Sequence, residues 1–247
     1  MPFPYPEDPA PAEQAAENPI NVVLFDYGQV LSGPPDPVAW ARLRDLTGRD
    51  EARLHEAYWH FRHDYDRGAL TGPTYWQAVA DRTGITLDST KLTALLAADV
   101  DLWTNLNPPM VEWAGRLQCA GIRTGILSNI GDSIAQGIVA KLPWLSAFDH
   151  CTWSYALHMA KPELAIYLKT AEALNTAPAN ILFLDDREDN ISAADALGFQ
   201  TILYKYVHHA AFESEMRLRG LTSLLDAGLE SPEPATHPAL QSEPAAK

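Results

Sequence analysis

Three acidic residues, one lysine and one hydroxyl group stand where short apolar runs of this chain end. The run from Ile20 to Phe25 stops at Asp26, followed by Tyr27-Gly28-Gln29-Val30-Leu31. A second run closes on Ser128-Asn129 and a third on Asp185-Asp186, and Lys161-Pro162 follows a further strand-like stretch near 150. Two or three carboxylates completed by water are a donor set suited to Mg²⁺. A cation held there would draw a phosphate towards an ionised carboxylate that otherwise repels it. Lys161 could neutralise the remaining phosphate oxygens, and Ser128 could donate a hydrogen bond to them. A carboxylate so placed can attack in line and form an aspartyl-phosphate.

These residues can act together only if one architecture carries them to the same edge. Ile20–Phe25 reads as a buried strand ended by a turn. Segments 36–47, 50–64, 73–83 and 88–101 then show apolar residues at helical spacing, punctuated by Gly48, Gly68, Gly72 and Gly84. From Asn107 onwards helices and strands alternate. Helices are expected over 108–120, 131–141, 162–174, 188–197 and 209–219, and strands over 122–128, 150–153, 180–184 and 200–204. Such alternation predicts an α/β fold, a Rossmann-like parallel sheet covered on both faces. One strand before the helical block and the rest after it make that block a helical cap inserted after the first strand. In open parallel sheets ligands bind beyond the carboxyl ends of the strands, which is where the reactive residues fall.

Composition narrows the partners. The 247 residues are 47% hydrophobic and 20% charged, enough for a sizeable core. A formal net charge of −14 repels nucleic acid and anionic membrane, so neither is expected as a partner. Cys119 and Cys151 form no CxxC motif, and a reducing cytoplasm is the simplest reading. The start of the chain lacks the basic and apolar regions of a signal peptide, and no apolar run is long enough to span a membrane. Residues 1–18 and 229–247, rich in Pro, Ala and Glu, are expected to be disordered tails. Nothing in the sequence specifies an oligomeric state.

FDYGQVL at 25–31, ILSN at 126–129, KPELAIY at 161–167 and the LFLDDREDNISAADALG segment ending at Gly198 resemble, in order and spacing, the four motifs of the haloacid dehalogenase (HAD) superfamily. The helical insert resembles that family's C1 cap, and DYDRGALT followed by Tyr75-Trp76 is similar to its sugar-phosphatase-like and epoxide-hydrolase-N-domain-like members. The resemblance implies a core at 19–33 and 107–228 and a cap at 34–106. It implies that Asp26 is nucleophile and metal ligand, that the Gly28 carbonyl and Asp186 are further Mg²⁺ ligands, and that Asp185 supports Asp186. Ser128 and Asn129 would contact phosphate or substrate, and Lys161 would steady the nucleophile and the transferring group. The implied activity is hydrolysis of a small phosphorylated metabolite.

One position departs from the pattern. Most phosphatases of this family carry a second Asp two residues after the nucleophile, as acid and base for the leaving group; here that position is Gly28. Two alternatives therefore stand beside the phosphatase: a hydrolytic 2-haloacid dehalogenase, which needs no metal, and a catalytically weak phosphate-ligand binding protein. The paired Asp185-Asp186 favours the metal-dependent reading over the dehalogenase. Each motif also has a plain structural reading, as turn former, helix cap or loop. His55, His60 and His63 are expected on a solvated or partly packed helix face. Trp40, Trp59, Trp76 and Trp103 are expected to pack the cap. Cys119 is expected in the core, and Tyr27 is given no role.

Overall fold

The computed structural model describes residues 20–229. The tails expected at 1–18 and 229–247 fall, except for Leu229, outside the described residues. Five parallel strands form one sheet: β1 (Val22–Phe25), β2 (Arg123–Ser128), β3 (His150–Trp153), β4 (Ile181–Asp185) and β5 (Gln200–Leu203), in the order β3-β2-β1-β4-β5. β1 is central. Its four residues Val-Val-Leu-Phe are fully buried, as a strand covered on both faces requires.

Side-chain alternation divides the core in two. Val23 and Phe25 face a large cluster that includes Met110, Trp113, Ile134, Phe212 and Met216. Val22 and Leu24 face a smaller one with Ile166, Tyr167, Phe183 and Ala194. Helices cover both faces, as the alternating pattern predicted.

Between β1 and the next core helix run α1 (Pro37–Thr47), α2 (Glu51–His60), α3 (Arg62–Asp66), α4 (Gly72–Thr83) and α5 (Ser89–Asp101). Side chains of Asp36, Asp50, Thr71 and Asp88 cap the N-termini of α1, α2, α4 and α5. A single expected helix over 50–64 is two, broken at Phe61. The apolar spacing 54-57-58-61-65 continues through the break, so the pattern could not show it. The two ends of the block meet: Ser32 bridges Leu106, and Asn107 N–H donates to the Leu31 carbonyl at 2.9 Å.

The remaining helices are α6 (Pro108–Cys119), α7 (Asp132–Lys141), α8 (Ser154–Leu157), α9 (Leu164–Ala173), α10 (Glu188–Asp195), α11 (His209–Leu218) and α12 (Thr222–Leu225). Cys119 is exposed rather than in the core, because it lies off the stripe Met110, Trp113, Ala114, Leu117 that α6 buries. Among the described residues no helix is long and apolar enough to cross a membrane.

The helical block sits hard against the sheet end. The Tyr65 ring lies 2.2 Å from where a Cβ on Gly131 would be, and Val100 lies 2.3 Å from the equivalent point on Gly137. Ser154 Oγ donates to the Asp66 carbonyl at 2.5 Å and accepts from Ile130 N–H at 2.8 Å. Any side chain at position 131 must displace a packed aromatic ring. Gly131→Ala should therefore destabilise the fold by about 1–3 kcal/mol. Gly115, inside α6 with no atom within 4 Å of its missing Cβ, makes the control. Gly115→Ala should stabilise by about 0.5–1 kcal/mol. Urea denaturation of the two variants checks both; a neutral Gly131→Ala would mean that the block is not held this closely.

Candidate active site

The sheet register delivers the reactive residues to one level. Phe25 pairs with Ile126 on one side and Leu184 on the other, so the ends of β1, β2 and β4 coincide. Asp26 follows β1 directly, Ser128 ends β2 and Asp185 ends β4. Carboxylate oxygens of Asp26, Asp185 and Asp186 lie within 4.8 Å of one another, the one such group of potential metal ligands among the described residues.

Lys161 is buried in their midst. Its Nζ donates to Asp185 Oδ2 at 2.6 Å and the Leu127 carbonyl at 2.9 Å, and lies 3.0 Å from Asp26 Oδ1. Three donors thus meet three acceptors. Burial alone would push this ammonium's pKa down, but Asp185 and Asp26 hold it above the usual lysine range.

Asp26 is 7% exposed. Its Oδ1 also accepts from the Tyr27 N–H at 2.7 Å, while among the described residues its Oδ2 accepts no hydrogen bond. Burial, with Asp185 and Asp186 close by, pushes its carboxyl up to about 7 against the pull of Lys161. Asp186 is raised as well, by burial and then by Asp185. Lys161 is the one cation in ion-pair contact with these carboxylates among the described residues, and Lys205 reaches Asp186 only at its backbone carbonyl. A hard divalent cation fits this donor set in charge and in ligand type.

Asp185 and Asp186 are held differently. Asp185 is fully buried; its Oδ1 accepts from Arg187 N–H at 2.9 Å and Asn190 Nδ2 at 2.9 Å. Asp186 is half-buried in the wall of a cavity of about 460 Å³. Its Oδ2 accepts from Gln29 Nε2 at 2.8 Å. Gln29 reaches it from a left-handed backbone conformation, φ 57°, in the turn after β1.

The same cavity is lined by Gly28, Ser128 and Asn129 from the core, and by Trp59, Arg62, His63 and Trp103 from the helical block. Asn129 has a task the sequence did not show. Its Oδ1 accepts from the Lys161 N–H and its Nδ2 donates to the Lys161 carbonyl, both at 2.8 Å, which clamps the lysine's backbone. Tyr27 is buried, and its hydroxyl donates to the Trp103 carbonyl at 2.7 Å, tying the turn after β1 to the end of the helical block.

Arg62, Gln29 and Asn190 are site residues that sequence reading passed over. Arg62 is 6% exposed, donates from Nε to Asp66 Oδ1 at 2.7 Å and from Nη1 to the Tyr58 hydroxyl at 2.5 Å. A charged residue at a buried helical position was the available signal. Asn190 stands five residues after Asp185 and Gln29 three after Asp26, spacings that acquire meaning only once the turns are built. The histidines do not gather: His63 borders the cavity, His55 borders a separate aromatic pocket, and His60 is exposed.

Comparison with known proteins places this geometry. Bifunctional epoxide hydrolase 2 of Sus scrofa is 28% identical over 212 residues, covering 79% of this chain and 38% of that protein. The (S)-2-haloacid dehalogenase 1 of Pseudomonas sp. (strain CBS-3) is 27% identical over 133 residues, 52% of this chain and 59% of that one. The chain thus spans less than two thirds of the length of the curated relatives it matches. A HAD family enzyme from Bacteroides thetaiotaomicron, solved in complex with magnesium and inorganic phosphate, shares the fold. Its TM-score is 0.63 at 20% identity, over 76% of this chain and 95% of that one. The family model for haloacid dehalogenase-like hydrolases matches residues 20–198, which run from the first strand through all four clusters of reactive residues. The chain belongs to the haloacid dehalogenase-like hydrolase family.

Proposed function

We propose that this protein is a magnesium-dependent phosphatase that hydrolyses a small phosphomonoester through an aspartyl-phosphate on Asp26. The observation that carries the reading is the convergence of Asp26, Asp185 and Asp186, with Lys161 the one cation in ion-pair contact with any of them among the described residues. A dehalogenating carboxylate needs no such excess of negative charge beside it. Mg²⁺ would be held by Asp26, Asp186 and the Gly28 carbonyl, and would supply the charge that keeps Asp26 ionised and draws phosphoryl oxygens in.

The chain's own residues do the rest. Asp26 Oδ1 is oriented by Lys161 and the Tyr27 N–H, which leaves Oδ2 to attack phosphorus. The new O–P bond forms as the ester O–P bond breaks, and the leaving oxygen departs with the bonding pair. Water then attacks the aspartyl-phosphate at phosphorus, restoring the carboxylate and releasing inorganic phosphate. Ser128 faces the phosphoryl oxygens, the charge of Lys161 helps to offset theirs, and Asn129 and Asp185 keep Lys161 in place. Residues 34–106 act as the cap over a core of 19–33 and 107–228, excluding water during transfer. Two unpaired cysteines suit the cytoplasm. Relatedness to a haloacid dehalogenase favours a second reading, attack of Asp26 on a carbon–halogen bond, which requires no metal.

Metal dependence separates the two. Hydrolysis of 4-nitrophenyl phosphate should require Mg²⁺, stop with EDTA and vanish in Asp26→Asn. Metal-independent halide release from 2-chloropropionate, without phosphate release, would reverse the assignment.

Gly28 generates a second expectation. No carboxyl group stands at this position to protonate the leaving oxygen. The backbone there is ordinary (φ −66°, ψ 127°), and an added Cβ would lie 3.7 Å from Trp103 Cζ3, so a side chain fits. General acid help is worth roughly 10²–10⁴-fold. Gly28→Asp should raise kcat on alkyl phosphates such as glycerol 3-phosphate within that range, and change aryl phosphates less. A folded Gly28→Asp variant with no gain on alkyl esters would show that the missing acid does not limit turnover.

A further inference from the structure

Next to the catalytic cavity lies a second one, of about 230 Å³, walled by Trp40, His55, Tyr58, Trp59 and Trp103. Trp59 and Trp103 belong to both walls. Trp103 is also the side chain that approaches the position of the missing acid at Gly28. The aromatic space therefore adjoins the reaction centre across Trp59 and Trp103, on the side of Gly28 where an acid would meet the leaving group.

These aromatics do more than fill the helical block. Trp76 does pack: it is 1% exposed. Trp40 and Trp103 are only half-buried and Trp59 is 41% exposed, although Trp is among the side chains with most to gain from burial. The space they border is not closed by packing. Instead the rings stand edge-on to one another around it: Trp40 to Tyr58 at 5.3 Å, Trp40 to His55 at 5.9 Å and Tyr58 to Trp59 at 5.1 Å between centroids. A void of ~150 Å³ lined by apolar groups already accepts a benzene ring. Arg62 braces the shared wall, its guanidinium 5.3 Å from the Trp103 ring and 5.8 Å from the Trp59 ring.

We infer that this pocket holds the leaving group of the substrate, and that the substrate is an aromatic phosphomonoester of one or two rings. The inference rests on the phosphatase reading and names the substrate class of that site. It draws on two independent observations. The pocket supplies aromatic faces on which a flat ring stacks. Gly28 supplies no proton, and an aryl oxide leaves as the anion without one.

Binding tests this without turnover. Benzylphosphonate places a ring one atom from phosphorus, as an aryl phosphate does; ethylphosphonate keeps the phosphonate and lacks the ring. With Mg²⁺ present, calorimetry should show benzylphosphonate binding at least ~10-fold more tightly, the order expected for burying one aromatic side chain. The ratio of the two affinities should fall towards unity in Trp59→Ala and in Trp40→Ala, the first of which removes a partly exposed ring. Equal affinities, or a ratio that neither variant changes, overturns the inference. Ring selectivity without metal-dependent hydrolysis of 4-nitrophenyl phosphate would keep the pocket and reject the phosphatase reading. Turnover without ring selectivity would do the reverse, and failure to bind either phosphonate rejects both.

Discussion

The buried ammonium of Lys161 is the contact on which the site depends. It is the positive charge that the fold places directly between Asp26 and Asp185, and its third hydrogen bond goes to the Leu127 carbonyl at the end of β2. One side chain therefore ties the carboxyl ends of three neighbouring strands together. Breaking a buried pair of this kind is costly because the abandoned carboxylates remain out of water. Asn129 and Asn190 extend the arrangement, one holding the backbone of Lys161 and the other the carboxylate of Asp185.

That network is satisfied on one side and unbalanced on the other. Asp185 is fully engaged, whereas Asp26 Oδ2 and the half-buried Asp186 turn negative charge towards the cavity. Asp26 reaches about 7 for this reason: burial and like charges outweigh its contact with Lys161. The negative charge gathered there favours a cation.

The helical block completes the enclosure. Its ends are pinned to each other at Ser32–Leu106, and its inner surface meets the core through contacts too close for a Cβ at Gly131 and Gly137. The helical block is thus held to the core by packing, and the carboxylate cluster by hydrogen bonds. Arg62, surrounded by Tyr58, Trp59, Tyr65 and Trp103, sets where those rings stand.

Much of this was legible in the residues. Alternation of short apolar runs with stripes of period 3.6 specified a parallel sheet with a helical insert, because burial on both faces leaves an apolar run and burial on one leaves a stripe. Asp26, Ser128, Lys161, Asp185 and Asp186 stood out because reactive residues at strand ends share an edge in any parallel sheet. The break at Phe61 was not legible, since the apolar spacing runs through it unchanged. Nor were the partners of Asn129 and Gln29, which depend on turns whose dihedral angles no periodicity encodes. The three tryptophans Trp40, Trp59 and Trp103 read as cap packing; only the tertiary structure leaves a space between them. Local sequence determines which faces are apolar and where strands end, because those follow from burial along one element. Where two elements fail to close against each other is decided between them, and so the shape of the cavity belongs to the fold.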